Sequence, residues 1–256
     1  MRKKPIAIVT GASGGMGLEF VRLLAKKEEL DEIWVIARSA DKLEAVKGEI
    51  GSRLQCFPMD LSNLENIKKF GSQEGLKDCN IKYLINNAGF AKFCSHDDLS
   101  LEESINMIDL NVSGVVAMGL VCIPHMEKGG RIINIASQAS FQPLPYLNIY
   151  SSTKAFVRSY TRALNVELKD RGVTATAVCP GWMKTGLFAR GLIGAKKEVK
   201  NFVGMVTPDV VAKKALSDAD KGKDMSVYGL YVKMCHLIAK VLPQKVMMKL
   251  WLIQQK

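Results

Sequence analysis

Short apolar runs of strand length alternate along the chain with longer stretches in which apolar residues recur every three or four positions. The runs at 5–10 (PIAIVT), 33–37 (IWVIA), 54–59, 81–86 (IKYLIN), 131–136 (RIINIA) and 173–179 predict six strands, and 226–228 begins a seventh. Between them, 15–28 predicts a helix with Met16, Phe20, Leu23 and Leu24 on one face. Further helices are predicted over 39–50 with Ser39 as N-cap, over 61–70 capped by Ser62, and over 101–126 ending near Gly129. The last two are 149–170, stopped by Gly172, and 208–218, with Pro208 at its start and Thr207 as cap. The strands are almost wholly apolar, so both of their faces are buried and the sheet is parallel and helix-covered. The predicted fold class is α/β: a doubly wound parallel sheet of about seven strands, with helices on both faces and its ligand at the carboxyl ends of the strands. No internal repeat, linker or break in composition divides the chain, so 1–256 reads as a single domain. Two segments fall outside the alternation: 181–207, read as a lid over substrate, and 230–256, an apolar and basic C-terminal extension.

The first strand runs into Thr10-Gly11-Ala12-Ser13-Gly14-Gly15-Met16-Gly17 and then into a helix. Glycines let a backbone turn tightly and approach a ligand without a Cβ in the way. The helix start behind them offers unpaired N–H groups and a positive dipole end, which suit a pyrophosphate. A glycine cluster alone also fits a plain tight turn; its place between a first strand and a first helix favours dinucleotide binding. The spacing is T-G-x-x-x-G-x-G, through Gly11, Gly15 and Gly17, rather than G-x-G-x-x-G. Asn86-Asn87-Ala88-Gly89 ends the fourth strand, Asn111 stands in LNVSG, and Ser137 follows the fifth strand. Tyr150 and Lys154 form Y-S-S-T-K, and Pro180-Gly181 with Thr185 follow the sixth strand.

On these motifs, in this order, the chain resembles the short-chain dehydrogenase/reductase family over most of its length. The resemblance implies a Rossmann-like fold, a nicotinamide cofactor and interconversion of a carbonyl and a secondary alcohol. It implies that Tyr150 exchanges the proton with the substrate oxygen and that Ser137 hydrogen-bonds that oxygen. Lys154 would hold the nicotinamide ribose and lower the tyrosine pKa, and Asn111 would hold a water leading from Lys154 to solvent. Thr185 and the Pro180-Gly181 turn would hold the nicotinamide amide, Asn87, Ala88 and Gly89 would pack along the adenosine ribose, and Asp60 would meet the adenine. Met16 and Leu61 complete the implied cofactor contacts. Tyr150 and Lys154 are four apart on one helix, so their side chains share a face, and an ammonium nearby favours a phenolate. Ser140 is the next candidate for the serine.

Cofactor choice turns on the end of the second strand. An acid there would bond the ribose 2′-hydroxyl and repel a 2′-phosphate. The chain has Ala37 and then Arg38, whose guanidinium pairs with phosphate, with Ser39 and Ser13 within reach. NADP(H) is therefore expected over NAD(H).

Composition narrows the rest. Lys plus Arg number 36 against 25 Asp plus Glu, a net charge of +11, which suits an anionic partner. The lysines are spread along the chain with no aromatic-interleaved strip, so nucleic acid is not expected. Six cysteines form no C-x-x-C pair, and the three histidines match no metal spacing, so no metal is expected and a cytoplasmic location with reduced thiols is. The start of the chain reads as a strand rather than a signal peptide, and no run reaches the ~18 apolar residues of a membrane span. The substrate is read as a small hydrophobic carbonyl or alcohol: a lipid-like ketone, a hydroxysteroid or a 3-ketoacyl group. Phe90, Phe93, Phe141, Leu144, Tyr146, Leu187, Phe188, Leu192 and Phe202 are the candidate pocket residues. By resemblance, the helices at 101–126 and 149–170 form the interface of a homodimer or homotetramer. In the tail, Lys233, His236 and Lys240 recur at helical spacing in an otherwise apolar run, and Pro243 splits it. It reads as a helix pair packed on the body, with peripheral membrane contact as the alternative. The alternative to an enzyme is a non-catalytic NADP-binding regulator or scaffold; the intact Ser137, Tyr150 and Lys154 favour the oxidoreductase.

Overall fold

The computed structural model describes residues 3–186, 191, 199 and 201–255. Its strands are β1 (Lys4–Thr10), β2 (Glu32–Ala37), β3 (Leu54–Pro58), β4 (Cys79–Asn86), β5 (Arg131–Ile135), β6 (Thr174–Val178) and β7 (Met225–Ser226). All pair in parallel, in the order β3-β2-β1-β4-β5-β6-β7. Chain direction across the sheet reverses between β1 and β4, so the crossovers leave to opposite faces there and open a crevice at the carboxyl ends. This is the Rossmann-like, doubly wound sheet that the apolar strands predict.

The described helices are α1 (Gly15–Leu24), α2 (Ala40–Ile50), α3 (Leu64–Ser72), the single turn α4 (Glu74–Lys77), α5 (Leu101–Ile108), α6 (Gly114–Cys122), α7 (Asn148–Glu167), α8 (Pro208–Asp220), α9 (Leu230–Val241) and α10 (Gln244–Gln254). Two apolar layers sandwich the sheet. One gathers Phe20, Leu43 and Ala212 of α1, α2 and α8 over Val9 and Val35. The other gathers Ile67, Met118 and Leu164 of α3, α6 and α7 under Ile8 and Leu84. The two-residue β7 is pinned from α8: Ser226 Oγ donates to the Asp218 carboxylate at 2.8 Å, and that buried carboxylate also pairs with Lys214 and, at 2.9 Å, with Lys223.

Several boundaries differ from the sequence reading, each for a local reason. The helix expected over 101–126 is broken by a π turn at Asp109–Ser113 and ends in a 3₁₀ turn at Ile123–His125. Asn111 sits in that π turn, fully buried, and its amide is drawn inward to Phe90. The stretch Leu101–His125 is long and apolar enough, by length and composition, to cross a membrane. Here it lies on the sheet, with Met107, Met118 and Cys122 buried. The helix expected over 61–70 begins at Leu64, because Asn63 accepts the Glu65 N–H at 2.9 Å, while Ser62 is bonded to Asp60. The first helix ends at Leu24, four residues early, where the Arg53 guanidinium takes the carbonyls of Ala25, Lys27 and Leu30. The six cysteines are unpaired, and Cys79, Cys94, Cys122 and Cys179 are buried. Of the segment read as a lid, 187–190, 192–198 and 200 lie outside the described residues. Its two ends are bridged, Lys184 N–H to Val206 O at 3.0 Å and Val206 N–H to Trp182 O at 2.9 Å.

Candidate active site

The carboxyl ends of β1, β4, β5 and β6 open on a cavity of about 440 Å³. Its floor is the glycine loop, through Gly11, Ser13, Gly14, Gly15 and Met16. Gly11 and Gly15 have positive φ (64° and 55°), the region that glycine alone enters cheaply. A Cβ on Gly11 would stand 2.8 Å from Asn87 Nδ2, and one on Gly17 would run into Gly11 O. Gly17 therefore does not face the cavity; it lets α1 pack tightly behind the loop. Thr10, which the sequence reading quotes without a role, ties this floor to β4. Its Oγ1 accepts the N–H groups of Asn87 and Ala88 at 2.9 and 3.0 Å, while Asn87 Nδ2 donates back to Thr10 O at 3.0 Å. The floor is thus a bare backbone surface ending at a helix N-terminus, and it fits a pyrophosphate.

Asn87, Ala88 and Gly89 line one wall, and Pro180, Gly181 and Thr185 the other. Thr185 leans back over the loop, its Cγ2 3.4 Å from where a Gly15 Cβ would be. Ser137, Tyr150 and Lys154 come together between these walls. Ser137 follows β5, with its Oγ accepting the Ala139 N–H at 3.1 Å. Ser140 points elsewhere: its hydroxyl donates to Ser137 O at 2.6 Å and touches Cys179, which leaves Ser137 as the serine at the cavity. Lys154 is buried, its Nζ donates to Ile135 O at 2.7 Å, and it stands 5.8 Å from the Tyr150 ring centre. Asn111 does not line the cavity. Its Oδ1 accepts the Phe90 N–H at 3.1 Å and its Nδ2 donates to Phe90 O at 2.9 Å, which fixes the chain just after Gly89. Side-chain-free Gly89 is what admits it, since a Cβ there would meet Asn111 Oδ1 at 2.8 Å and Lys154 Nζ at 3.4 Å.

The electrostatics correct one expectation. Burial raises the Tyr150 phenol above its ordinary value, and a hydrogen bond with Ser137 only partly opposes it. Lys154 does not bring the phenol down here, because its ammonium is itself desolvated and turned to the Ile135 carbonyl. Burial brings Lys154 down to about 8, against an ordinary 10.5. Between those values the unfolded chain binds more protons than the folded one, so stability should rise with pH. Relative to Lys154→Met, the unmodified protein should gain up to about 3 kcal/mol on going from pH 7 to pH 10, at roughly 1.4 kcal/mol per unit. Urea unfolding of both proteins at the two pH values measures this, and a difference that does not change with pH contradicts it.

Besides Gly17, four expected cofactor residues lie outside the cavity lining. Arg38 is exposed after β2 and has no acidic partner among the described residues. Ser39 caps α2, accepting the Lys42 N–H at 3.4 Å. Asp60 is occupied by Ser62, through its N–H at 2.9 Å and its hydroxyl at 2.8 Å, and Leu61 is buried. Lys42, missed in the sequence, does line the cavity beside Ser13. Its signal was available: it stands in the first turn of α2, three residues after the capping Ser39.

The remaining wall is apolar. Phe90, Phe93, Leu144, Trp182 and Met183 line it. Phe93, Trp182 and Phe202 pack edge-on or tilted, with Trp182–Phe202 ring centres 4.9 Å apart. Of the expected pocket residues, Tyr146 and Phe202 sit behind this wall, and Phe141 instead stacks on His236 at 4.3 Å. Leu187, Phe188 and Leu192 lie outside the described residues. Trp251 of α10, which no local pattern flags, backs Trp182 and anchors its indole N–H on Pro145 O at 2.9 Å.

The sequence model of the short chain dehydrogenase family matches residues 5–191. An uncharacterized oxidoreductase of Staphylococcus aureus is 32% identical over 187 residues, covering 72% of this chain and 80% of its own. Very-long-chain 3-oxoacyl-CoA reductase-B of Danio rerio is 30% identical over 253 residues, covering 95% of this chain and 78% of its own. A short-chain dehydrogenase from Sphingobium yanoikuyae, solved in complex with NADPH, superimposes with a TM-score of 0.80 at 25% identity, over 95% of this chain and 94% of that one.

Proposed function

The chain belongs to the short-chain dehydrogenase/reductase family, and on that premise we propose that it is an NADP(H)-dependent oxidoreductase interconverting a carbonyl and a secondary alcohol on a hydrophobic, lipid-like substrate. The observation that carries this reading is one cavity with three unlike walls: a bare glycine cradle, the Ser137–Tyr150–Lys154 cluster, and an aromatic surface. The nicotinamide group, when bound, supplies the hydride. Gly11, Gly15 and the start of α1 would hold its pyrophosphate, Arg38 and Lys42 its 2′-phosphate, and Thr185 its amide. Lys154 and Tyr150 would hold the nicotinamide ribose.

The residues of the chain then handle the oxygen. Ser137 donates a hydrogen bond to the substrate carbonyl, which counts most as negative charge develops there. Tyr150, kept protonated by burial, passes its hydroxyl proton to the same oxygen in reduction and takes it back in oxidation. Lys154, bonded to the Ile135 carbonyl 5.8 Å from the Tyr150 ring centre, would keep the ribose beside that hydroxyl. Phe90, Phe93, Leu144 and Trp182 exclude water and bind an apolar chain. That surface and the 3-oxoacyl-CoA reductase relative support a 3-ketoacyl group first, ahead of a hydroxysteroid or other lipid-like ketone. NADPH consumption with a chain-length series of 3-oxoacyl thioesters tests this. Efficiency should rise by about fourfold for each methylene buried, until the pocket is filled. A flat series removes the hydrophobic-substrate reading.

Leu101 and Ile105 on α5, Leu120 on α6, and Phe156 and Val166 on α7 are exposed apolar residues on the helices that the resemblance assigns to an interface. We assign this face to a homodimer, or a tetramer built from it. Light scattering should give a multiple of the chain mass, and Leu120→Glu with Val166→Glu should give the mass of one chain. A single-chain mass for the unmodified protein contradicts the assignment.

A further inference from the structure

The C-terminal helix pair carries apolar surface that the body does not cover. Ten of the nineteen exposed large apolar side chains among the described residues lie between 230 and 253. Soluble surfaces seldom gather so many in one stretch unless something docks there. On α9, Leu230, Met234, Leu237 and Val241 follow one another at helical spacing, and Leu237 and Val241 are 57% and 75% exposed. On α10, Val246, Leu250 and Ile253 do the same. The opposite faces are used up inside: Val232 and Trp251 pack into clusters of the body, and Met247 is buried.

The charge is equally one-sided. From 225 to the end of the sequence there is no Asp or Glu, and there are five lysines. At 100° per residue, Lys233 and Lys240 fall about 70–90° to one side of the centre of the α9 stripe, and Lys249 falls about 70° the same way beside the α10 stripe. All three are exposed. An apolar stripe flanked by lysines is how a helix lies in a lipid interface: the stripe enters the acyl boundary while the ammonium heads reach anionic headgroups. A docking protein segment would meet the lysines with acids at fixed points, and a second copy of this chain would set lysine against lysine.

We propose that α9 and α10 form a docking foot for an anionic lipid bilayer. The foot adjoins the chamber. Trp251 backs Trp182 in the cavity wall, and His236 stacks on Phe141 in the turn that follows Ser137. A Cβ on the cavity residue Gly181 would meet Val232 Cγ2 at 2.8 Å. Docking therefore sets the apolar chamber next to the membrane surface. The passage of a lipid-borne substrate into it rests on the reading above; the docking does not.

Vesicle sedimentation of the full chain tests the docking without any substrate. Phosphatidylcholine vesicles should retain little protein, and vesicles with about a third phosphatidylserine should pellet it. Each lysine beside an anionic surface contributes about fivefold to binding, so Lys233→Gln with Lys240→Gln should weaken it roughly 25-fold. Leu237→Ser with Val241→Ser should abolish pelleting while NADPH titration shows the fold intact. Two results overturn the proposal: equal retention on both vesicle types below a tenth of the protein, or pelleting that survives the serine variant. A third does so as well, namely serine variants that lower the mass in light scattering, which would make the stripe a subunit contact.

Discussion

Tyr150→Phe should lower kcat/KM by roughly 10²–10⁴-fold, the usual contribution of a positioned proton donor, while NADPH binds within about twofold of the unmodified protein. The substitution removes one hydroxyl and keeps the ring. Lys154 keeps its 2.7 Å bond to the Ile135 carbonyl and the cavity keeps its shape. Ser137 still polarises the substrate oxygen, so some turnover remains, but no group at that point can supply the proton. The same experiment separates the enzyme from a scaffold of the same fold, in which the phenol would have no task. Steady-state rates with any substrate the unmodified protein turns over provide the measurement. An undiminished rate removes Tyr150 from the chemistry.

Arg38→Ala with Lys42→Ala should erase a preference for NADPH over NADH that each residue alone only halves on a logarithmic scale. Arg38 is exposed after β2, without an acidic partner among the described residues, and Lys42 in the first turn of α2 lines the cavity beside Ser13. A hydrogen bond to a charged group contributes about 1.5–3 kcal/mol. One such bond is therefore a factor of roughly 10–100 in affinity, which NADH, lacking the phosphate, cannot gain. Titration of both cofactors against the three variants gives the result. Equal affinity for NADPH and NADH in the unmodified protein contradicts the assignment outright.

The sheet was legible because parallel strands buried on both faces leave little choice of residue: IAIVT, IWVIA and RIINIA read as strands without context. The cluster of Ser137, Tyr150 and Lys154 at the cavity was legible through the family resemblance of the motifs that hold them, after a strand and along one helix. The π turn at Asp109–Ser113 was not, because an extra residue in a run as apolar as LNVSGVVAMGLV leaves the periodic signal intact. The cap shift to Asn63 was ambiguous, with Asp60, Ser62 and Asn63 all able to cap and the choice set by Asp60 taking Ser62. The direction of the Tyr150 shift depends on desolvation, which no spacing encodes. Trp251 lies 106 residues from its bonding partner Pro145, so the second wall of the chamber exists only once the chain has folded.

Deuterium placed on the nicotinamide carbon of NADPH provides the most direct measurement of the chemistry. With the purified chain and a long-chain 3-oxoacyl thioester, mass spectrometry should find one deuterium on the carbinol carbon of the 3-hydroxy product. With Tyr150→Phe, which still binds the cofactor, the rate of label incorporation should fall by the same roughly 10²–10⁴-fold. A protein that binds NADPH yet delivers no deuterium to this thioester or to any other apolar ketone would contradict the assignment of this cavity to carbonyl reduction.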